Sequence, residues 1–196
     1  MDFPRMVDVL TPGTMGDAAI EHFTVSESES RFSALRPGEY VREGRYARLR
    51  VGRGLMMTDT HMERITNYEF LRRAQGDVLV GGLGLGMIVV PACAKKEVRS
   101  VTVLELSADV IGLVEPQIRH EKLTVVRADV RTWRPPQKYQ TIYFDIWPTI
   151  CVDNLREIAT LHRRYAKALD RSDGAAWMSS WQVKHLRALR RRDPWR

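Results

Sequence analysis

Short apolar runs recur along the chain from about residue 76 onward, and polar segments containing glycine or proline separate them. Such runs, bounded by turn residues, are typical of parallel strands that are buried on both faces. We predict five of these strands, at residues 78–80, 101–106, 123–127, 141–146 and 175–181. Helices are predicted between them, at residues 85–95, 108–114, 154–169 and 183–191. Regular alternation of strand and helix predicts an α/β protein with a parallel sheet and right-handed crossovers.

The first sixty residues follow a different pattern. Residues 1–37 show little helical periodicity and contain several turn formers. In residues 46–51 apolar side chains alternate with arginines, which is the period of a half-buried strand, and a glycine turn leads to a return strand at 55–58. A short helix is predicted next, at 67–74. We therefore predict a small β-rich segment over residues 1–60.

The composition is that of a packed globular protein. Hydrophobic residues make up 44% of the 196 residues, which is too many for a disordered chain, and the length fits one domain with a small appendage. Cys93 and Cys151 lie far apart and the histidines are scattered, so we expect neither a disulfide framework nor a metal site. The amino terminus lacks a signal sequence, and the apolar stretch at 78–94 is too short to span a bilayer. We expect a cytoplasmic protein with no membrane partner.

The chain carries a formal net charge of +7. A basic balance fits either an anionic partner or simple solubility. The tail at residues 186–196 is rich in arginine and includes Trp195, and such a segment can hold nucleic acid through its cations and a stacking ring. The more common interpretation of such a run is the solvated face of a last helix. A nucleic-acid partner is therefore allowed but not favoured, and the sequence leaves a homodimer open.

The most informative motif is VLVGGLGLG, at residues 78–86, which reads as a buried strand, a glycine loop and the start of a helix. Glycines there let the backbone turn sharply and let a ligand approach the amides. The spacing is Gly82-x-Gly84-x-Gly86, and Met87 stands where a dinucleotide-binding loop would have its last glycine. This spacing is closer to the GxGxG loop of S-adenosylmethionine enzymes.

Three acids follow the next three predicted strands. Glu105 ends the second strand, where a carboxylate can accept both hydroxyls of a ribose. Asp129 follows the third strand and could accept from an adenine amino group, with a turn or cap aspartate as an equal alternative. Asp145 follows the fourth strand, so its carboxylate should lie at the carboxyl edge of the sheet and could deprotonate an amine or orient a cationic substrate. The alternative for Asp145 is a strand-end acid bonded to backbone amides.

Two further residues are candidates for the substrate side of the crevice. Trp147, followed by Pro148, could form a flat wall for a planar or alkyl substrate. His61 lies near the predicted entrance and is the one histidine that we consider as a proton acceptor.

The glycine loop and the three acids occur in an order that resembles class I S-adenosylmethionine-dependent methyltransferases over residues 76–181. The chain is most similar to the spermidine synthase branch, through VTVLEL, LTVVRADVRTW and the upstream LMMTDTHMERITNYEF, in which Glu69 takes the place of the acid in a Glu-Phe pair. The resemblance implies a Rossmann-like, doubly wound parallel sheet over residues 61–196, without the last β-hairpin. It also implies S-adenosylmethionine or its decarboxylated form as cofactor, held by Gly82, Gly84, Gly86, Glu105 and Asp129.

Three functions remain open from the sequence. The first is methyl transfer to a small molecule, with Asp145 as catalytic residue and Trp147, Glu69 and His61 on the substrate side. The second is aminopropyl transfer from decarboxylated S-adenosylmethionine to a diamine, which needs an acidic pocket with four candidates, Asp59, Glu63, Glu69 and Asp145. The third is a non-catalytic or S-adenosylmethionine-degrading protein on the same scaffold. Asp145 is followed by Ile-Trp-Pro rather than by the second Asp-Pro of spermidine synthases, which favours the first function.

Overall fold

The computed structural model describes residues 3–35, 40–172 and 174–192. Its strands are Gly13–Met15 (β1), Ala18–Val25 (β2), Gly44–Val51 (β3), Gly54–Thr58 (β4), Gly76–Gly81 (β5), Val98–Glu105 (β6), Leu123–Arg127 (β7), Thr141–Phe144 (β8) and Trp177–Ser180 (β9). Its helices are Met6–Val9 (α1), Glu27–Ala34 (α2), His61–Arg73 (α3), Val89–Ala94 (α4), Ala108–Val114 (α5), Asn154–Tyr165 (α6) and Val183–Arg192 (α7). A single 3₁₀ turn, Glu115–Gln117, follows α5.

Strands β5 to β9 form a parallel sheet in the order β7-β6-β5-β8-β9. The chain begins in the middle with β5, adds β6 and β7 on one side, and then crosses over to add β8 and β9 on the other. This reversal opens a crevice at the carboxyl ends of β5 and β8. The sheet confirms the predicted α/β, Rossmann-like class. Within the described ranges α7 follows β9 and no further strand joins the sheet.

Apolar side chains alternate between the two faces of the parallel sheet, as the two-residue period of a strand requires. On β5, Val78 and Val80 pack into one cluster together with side chains of α4 and α5. Leu79, between them, packs into a second cluster with side chains of α6 and α7. All three are fully buried. Helices therefore cover both faces, which is the predicted doubly wound arrangement.

Strands β1 to β4 form an antiparallel sheet in sequence order, and β3 and β4 make the predicted hairpin. Ile20 of β2 and Leu49 of β3 belong to the same buried cluster as Val80 of the parallel sheet. The two sheets are therefore packed around one continuous apolar core. The division of the chain into domains at residue 60 stays a prediction.

A helix over part of the first 37 residues is not predicted by the apolar pattern, yet α2 forms there. The Ser26 side chain accepts a hydrogen bond from the backbone N–H of Glu29 at 3.3 Å, and the Glu29 carboxylate accepts one from the backbone N–H of Ser26 at 2.7 Å. This reciprocal pair is a capping box, and its S-x-x-E signature is visible in the sequence. Ser30 is the one buried residue of α2, so apolar periodicity could not indicate this helix.

Three other helices differ from their predicted bounds by more than one residue, and one of them, α6, ends at Tyr165 rather than at residue 169. Helix α3 begins at His61, about 1.7 turns before the predicted start at 67. Helix α4 is shorter than the predicted 85–95 because its first residues form turns, and Pro91 lies in its first turn, where a backbone nitrogen has no helical partner. No helix in the described ranges is long and apolar enough to cross a membrane.

The carboxyl ends of β5 and β8 approach each other closely at Gly82. The backbone N–H of Asp145 donates a hydrogen bond to the carbonyl of Gly81 at 2.8 Å. Gly82 has a φ of +98°, and a Cβ added to it would lie 2.2 Å from the carbonyl oxygen of Asp145. A side chain at position 82 would therefore displace the end of β8 and the acid that follows it.

We expect Gly82→Ala to lower the free energy of unfolding by about 2–4 kcal/mol, because the strain of a left-handed residue adds to the clash with Asp145. Urea denaturation would measure this loss. Gly52→Ala is the matched control, since Gly52 has a φ of +57° and nothing lies within 4 Å of its added Cβ. That variant should lose only about 1–2 kcal/mol, which is the cost of the left-handed backbone conformation for a residue with a Cβ. Equal losses in the two variants would contradict a packing role for Gly82.

Candidate active-site cleft

A cleft of about 320 Å³ lies at the carboxyl ends of β5, β6, β7 and β8. Its wall is completed by Met56 and Met57 of β4 and by Glu63 of α3. Seven candidate site residues predicted from the sequence line it, namely Glu63, Gly82, Gly84, Glu105, Asp129, Asp145 and Trp147. The structure therefore brings the glycine loop and all three predicted acids together in one place.

Protein groups fill the space beside the later glycines of the loop. A Cβ on Gly84 would lie 2.2 Å from the sulfur of Met57, which also accepts a hydrogen bond from the backbone N–H of Leu85 at 3.1 Å. A Cβ on Gly86 would lie 2.6 Å from Ile118, and Gly86 does not line the cleft. Both glycines have positive φ values, +52° and +74°. Glycine is therefore needed at both positions for the loop to pack against β4 and the segment after α5. That Gly84 and Gly86 also contact a ligand stays a prediction.

Glu105 is held in place by two backbone hydrogen bonds. Its Oε2 accepts from the N–H of Leu83 at 3.0 Å, and its Oε1 accepts from the N–H of Ser107 at 2.9 Å. These bonds join the end of β6 to the glycine loop. A carboxylate has about four lone-pair sites, so both oxygens can accept further bonds from hydroxyl groups in the cleft. The arrangement fits the predicted ribose role.

Asp129 belongs to a chain of polar contacts along one wall of the cleft. It accepts a hydrogen bond from the backbone N–H of Arg131 at 2.8 Å, which makes it the turn aspartate considered above. The Arg131 guanidinium donates to Glu157 at 2.6 Å, and the indole N–H of Trp147 donates to the other oxygen of Glu157 at 2.7 Å. The ring of Trp147, which is buried, is thereby fixed against the cleft wall.

Asp145 and Glu63 are two acids that face the same part of the cleft. Burial raises the pKa of Asp145 to about 7, repulsion from Glu63 adds to this shift, and the Asn67 amide opposes it. Burial likewise raises the pKa of Glu63 to about 7, although a hydrogen bond from the backbone of Thr58 lowers that pKa in part. Among the described residues, no lysine or arginine forms a salt bridge with either acid. Near neutral pH the pair therefore holds a proton or attracts a cation.

A buried contact between α3 and β8 sets the position of Glu63 opposite Asp145. The hydroxyl of Tyr143 donates to the Asn67 side-chain oxygen at 2.9 Å, and the Asn67 amide donates to the carbonyl of Glu63 at 3.2 Å. The Tyr143 ring stacks on Phe70 with centroids 4.7 Å apart. The sequence pattern does not indicate this contact, because Asn67 and Tyr143 are 76 residues apart in the chain.

Three other predicted residues lie away from the cleft lining. His61 is exposed at the start of α3, and Glu69, further along that helix, accepts a hydrogen bond from Lys184 of α7 at 2.6 Å. Asp59, one of the four candidate acids for a diamine pocket, is fully buried and accepts backbone hydrogen bonds from α1 and β3 at 3.1 and 2.7 Å. Asp59 therefore joins elements of the amino-terminal region.

No protein-family model matches the sequence, and no curated protein matches it. Many solved structures match part of the chain, among them the following three. The DhpI–SAH complex shares 22% identity over 54% of this chain and 50% of that chain, with a TM-score of 0.43. The N-methyltransferase NodS from Bradyrhizobium japonicum WM9, in complex with S-adenosyl-L-homocysteine (SAH), shares 16% identity over 55% and 57%, with a TM-score of 0.44. The 23S rRNA methyltransferase ErmE shares 23% identity over 41% and 34%, with a TM-score of 0.36.

This chain spans between 34% and 57% of the length of those three structures. Because the likeness is partial, the function has to be argued from the residues of the cleft.

We expect Glu63→Gln to lower the pKa of Asp145 from about 7 toward the ordinary range, because the substitution removes a neighbouring negative charge. Carbon-13 NMR of the Asp145 carboxyl group across pH would measure the change. Glu69→Gln is the matched control on the same helix, and it should leave the Asp145 titration where it is. Equal shifts in the two variants would show that Glu63 is not the specific neighbour of Asp145.

The two raised pKa values also predict how stability depends on pH. The folded chain holds protons that the unfolded chain releases, so the free energy of unfolding should fall as pH rises from about 4 to about 7. Urea denaturation at a series of pH values would measure this slope. In Glu63→Gln the slope should become smaller, since one of the two acids is gone. An unchanged slope would contradict the pairing.

Proposed function

We propose that this chain is an S-adenosylmethionine-dependent methyltransferase whose acceptor is a small molecule with an amine group. The observation that carries the proposal is the placement of Asp145. Its carboxyl group lies at the edge of the sheet, next to the glycine loop and opposite Glu63, inside a cleft that also contains Glu105.

The cleft offers suitable partners for the nucleoside part of the donor. Glu105 would accept the ribose hydroxyls with the lone pairs that its two backbone bonds leave open. Asp129, which its turn holds at the cleft wall, would accept from the adenine amino group. Leu104 and Val130 provide apolar walls beside these two acids. When bound, S-adenosylmethionine supplies a methyl group made electrophilic by the positive sulfonium.

Asp145 would act on the acceptor. An amine enters the cleft as an ammonium ion, which the Asp145 and Glu63 pair attracts. A carboxylate whose pKa is about 7 can accept a proton from that ammonium ion and so free the nitrogen lone pair for attack. The new bond joins nitrogen to the methyl carbon while the carbon–sulfur bond breaks, the sulfur keeps the bonding pair, and the proton stays on the carboxyl group. Trp147 would limit where the rest of the acceptor lies, because Glu157 fixes its ring.

The charge of the cleft favours a second candidate, aminopropyl transfer from the decarboxylated donor to a diamine. Among the described residues, four acids line the cleft, namely Glu63, Glu105, Asp129 and Asp145, and the one cation in that lining, Arg131, is already paired with Asp129 and Glu157. A donor that lacks a carboxylate avoids repulsion in such a cleft. Against this candidate, Asp59 and Glu69 do not line the cleft, so two of the four proposed diamine-binding acids are elsewhere.

Incubation of the full chain with each donor separates the candidates. S-adenosylmethionine with a panel of small amines should yield a methylated amine and S-adenosylhomocysteine, detected by mass spectrometry. Methylthioadenosine that appears only with a diamine and the decarboxylated donor would replace the proposal by the second candidate. Donor breakdown without an acceptor would indicate a degrading enzyme, and failure of both donors to bind in calorimetry would contradict all of these functions.

We expect Asp145→Asn to lower kcat by about 10²–10⁴-fold, because the amide cannot accept the proton from the ammonium ion. Donor affinity measured by calorimetry should stay within about threefold of wild type, since a change of that size corresponds to less than 1 kcal/mol. Glu69→Gln is the matched control and should keep full activity, because Glu69 lies outside the cleft lining. Equal loss of donor binding and turnover in Asp145→Asn would show that Asp145 holds the donor instead.

A further inference from the structure

The net charge of this chain is confined to its last part. Residues 1–153 contain 20 lysines and arginines and 20 aspartates and glutamates, so their formal charges cancel. Residues 154–196 contain 11 lysines and arginines and 4 aspartates and glutamates, which accounts for the whole net charge of +7. Solubility would be served equally well by positive charge spread evenly along the chain, so solubility does not explain why the charge is gathered in residues 154–196.

Helix α6 presents one basic face to solvent. Arg156 and Arg163 on the helix and Lys167 just beyond it are exposed and fall on one side at a spacing of seven and four residues. The opposite side of α6 is buried against the parallel sheet through Ile158, Leu161 and Tyr165. The basic stripe therefore points away from the core.

Helix α7 lies on the same face of the sheet and repeats this arrangement. Val183 and Leu186 pack into the same apolar cluster as the buried side of α6. Arg187, Arg190 and Arg191 are exposed. The two helices contact each other, so their outer surfaces form one basic layer, which we define by the exposed cations of residues 156–192. Trp195, the stacking ring suggested by the sequence, lies outside the described residues.

Described acidic side chains leave most of this basic layer unpaired. Among the described residues, Lys184 has a carboxylate partner, Glu69 at 2.6 Å, and the other cations of residues 156–192 have no described carboxylate within 4 Å. Glu157, the acid on α6, is paired with Arg131 at the cleft wall. Arg163, Arg164 and Arg171 donate hydrogen bonds to neutral oxygens, which orient the guanidinium groups without cancelling their charge.

The side chains of the basic layer indicate which kind of polyanion it can bind. No large hydrophobic side chain of α6 or α7 is exposed within the described ranges, so the layer lacks the apolar anchors of membrane-surface helices and of protein interfaces. Its cations are mainly arginines, whose planar guanidinium groups bind phosphate oxygens in pairs. We propose that the outer surfaces of α6 and α7 form a docking site for the phosphodiester backbone of a nucleic acid.

This inference does not depend on the proposed function. The cleft lies at the carboxyl edge of the parallel sheet and is acidic, whereas the basic layer covers one face of that sheet. Backbone binding at the layer would be independent of base sequence and strongly dependent on salt, because each neutralised phosphate releases counterions.

The test uses fluorescence anisotropy of a labelled DNA duplex and a labelled single-stranded RNA, both of mixed sequence, between about 50 and 200 mM salt. Wild type should bind at least one of them, with an affinity that falls steeply with salt. The triple variant Arg156→Gln, Arg163→Gln, Lys167→Gln should lower the slope of log affinity against log salt by about 2–3, since each phosphate contact contributes about 0.7–0.9. Absence of binding by wild type at the lowest salt would overturn the proposal.

A matched control removes the same number of charges elsewhere. Arg53, Lys96 and Arg119 are exposed, lie outside α6 and α7, and form no salt bridge among the described residues. Their triple replacement by glutamine should change the salt slope by less than about 1, the contribution of a single phosphate contact. Equal loss in the two triple variants would show that net charge alone causes binding, and the proposal would fail.

Two further measurements keep the result decisive. The α7 variant Arg187→Gln, Arg190→Gln, Arg191→Gln should weaken binding as the α6 variant does, and circular dichroism would confirm that each variant is folded. If the α6 variant does not fold, the α7 variant carries the test by itself. Vesicles containing phosphatidylserine serve as the competing polyanion, and binding to them as tight as to nucleic acid would assign the layer to a membrane surface instead.

Discussion

The close approach of β5 and β8 is the constraint on which the cleft depends. The backbone of Asp145 donates to Gly81, and its carbonyl lies where a side chain of Gly82 would otherwise be. A side chain at position 82 would collide with that carbonyl, so this junction of β5 and β8 requires glycine there. The approach brings the acid after β8 beside the loop after β5. The remaining walls of the cleft, from β4, α3 and the ends of β6 and β7, are arranged around this junction.

The cost of burying charge explains the character of the site. Asp145 and Glu63 are both partly buried and have no cationic partner among the described residues, and their pKa values rise because burial disfavours the charged form. The two acids stay near each other because the hydrogen bond between Tyr143 and Asn67 holds α3 against β8. A site of this kind is most stable when a proton or an ammonium group shares the pair. The same physical feature therefore links the pH dependence of stability to the proposed amine acceptor.

Charge is divided between two surfaces of the molecule. The acids at the carboxyl edge of the parallel sheet face a small cleft, whereas the arginines of α6 and α7 cover one face of that sheet. A molecule with this division can attract a small cation at one place and a polyanion at another. Glu157 joins α6 to the cleft wall through Arg131 and Trp147 and lies at the amino end of the helix, whereas the basic stripe runs along the outer side of α6.

The sequence by itself determined the order of strands and helices in the parallel sheet, the glycine loop, and the acids Glu105, Asp129 and Asp145, because apolar runs and strand-end residues are local features. It did not determine α2, since a polar capping box has no apolar period. It also did not determine the electrostatic interaction of Glu63 with Asp145, since these residues lie far apart in the chain. Only the tertiary structure showed that Gly84 and Gly86 are packed by Met57 and Ile118, and that Asp59 and Glu69 serve other contacts. Packing and burial depend on contacts between segments that are distant in the chain, and a local sequence pattern does not determine which segments will be in contact.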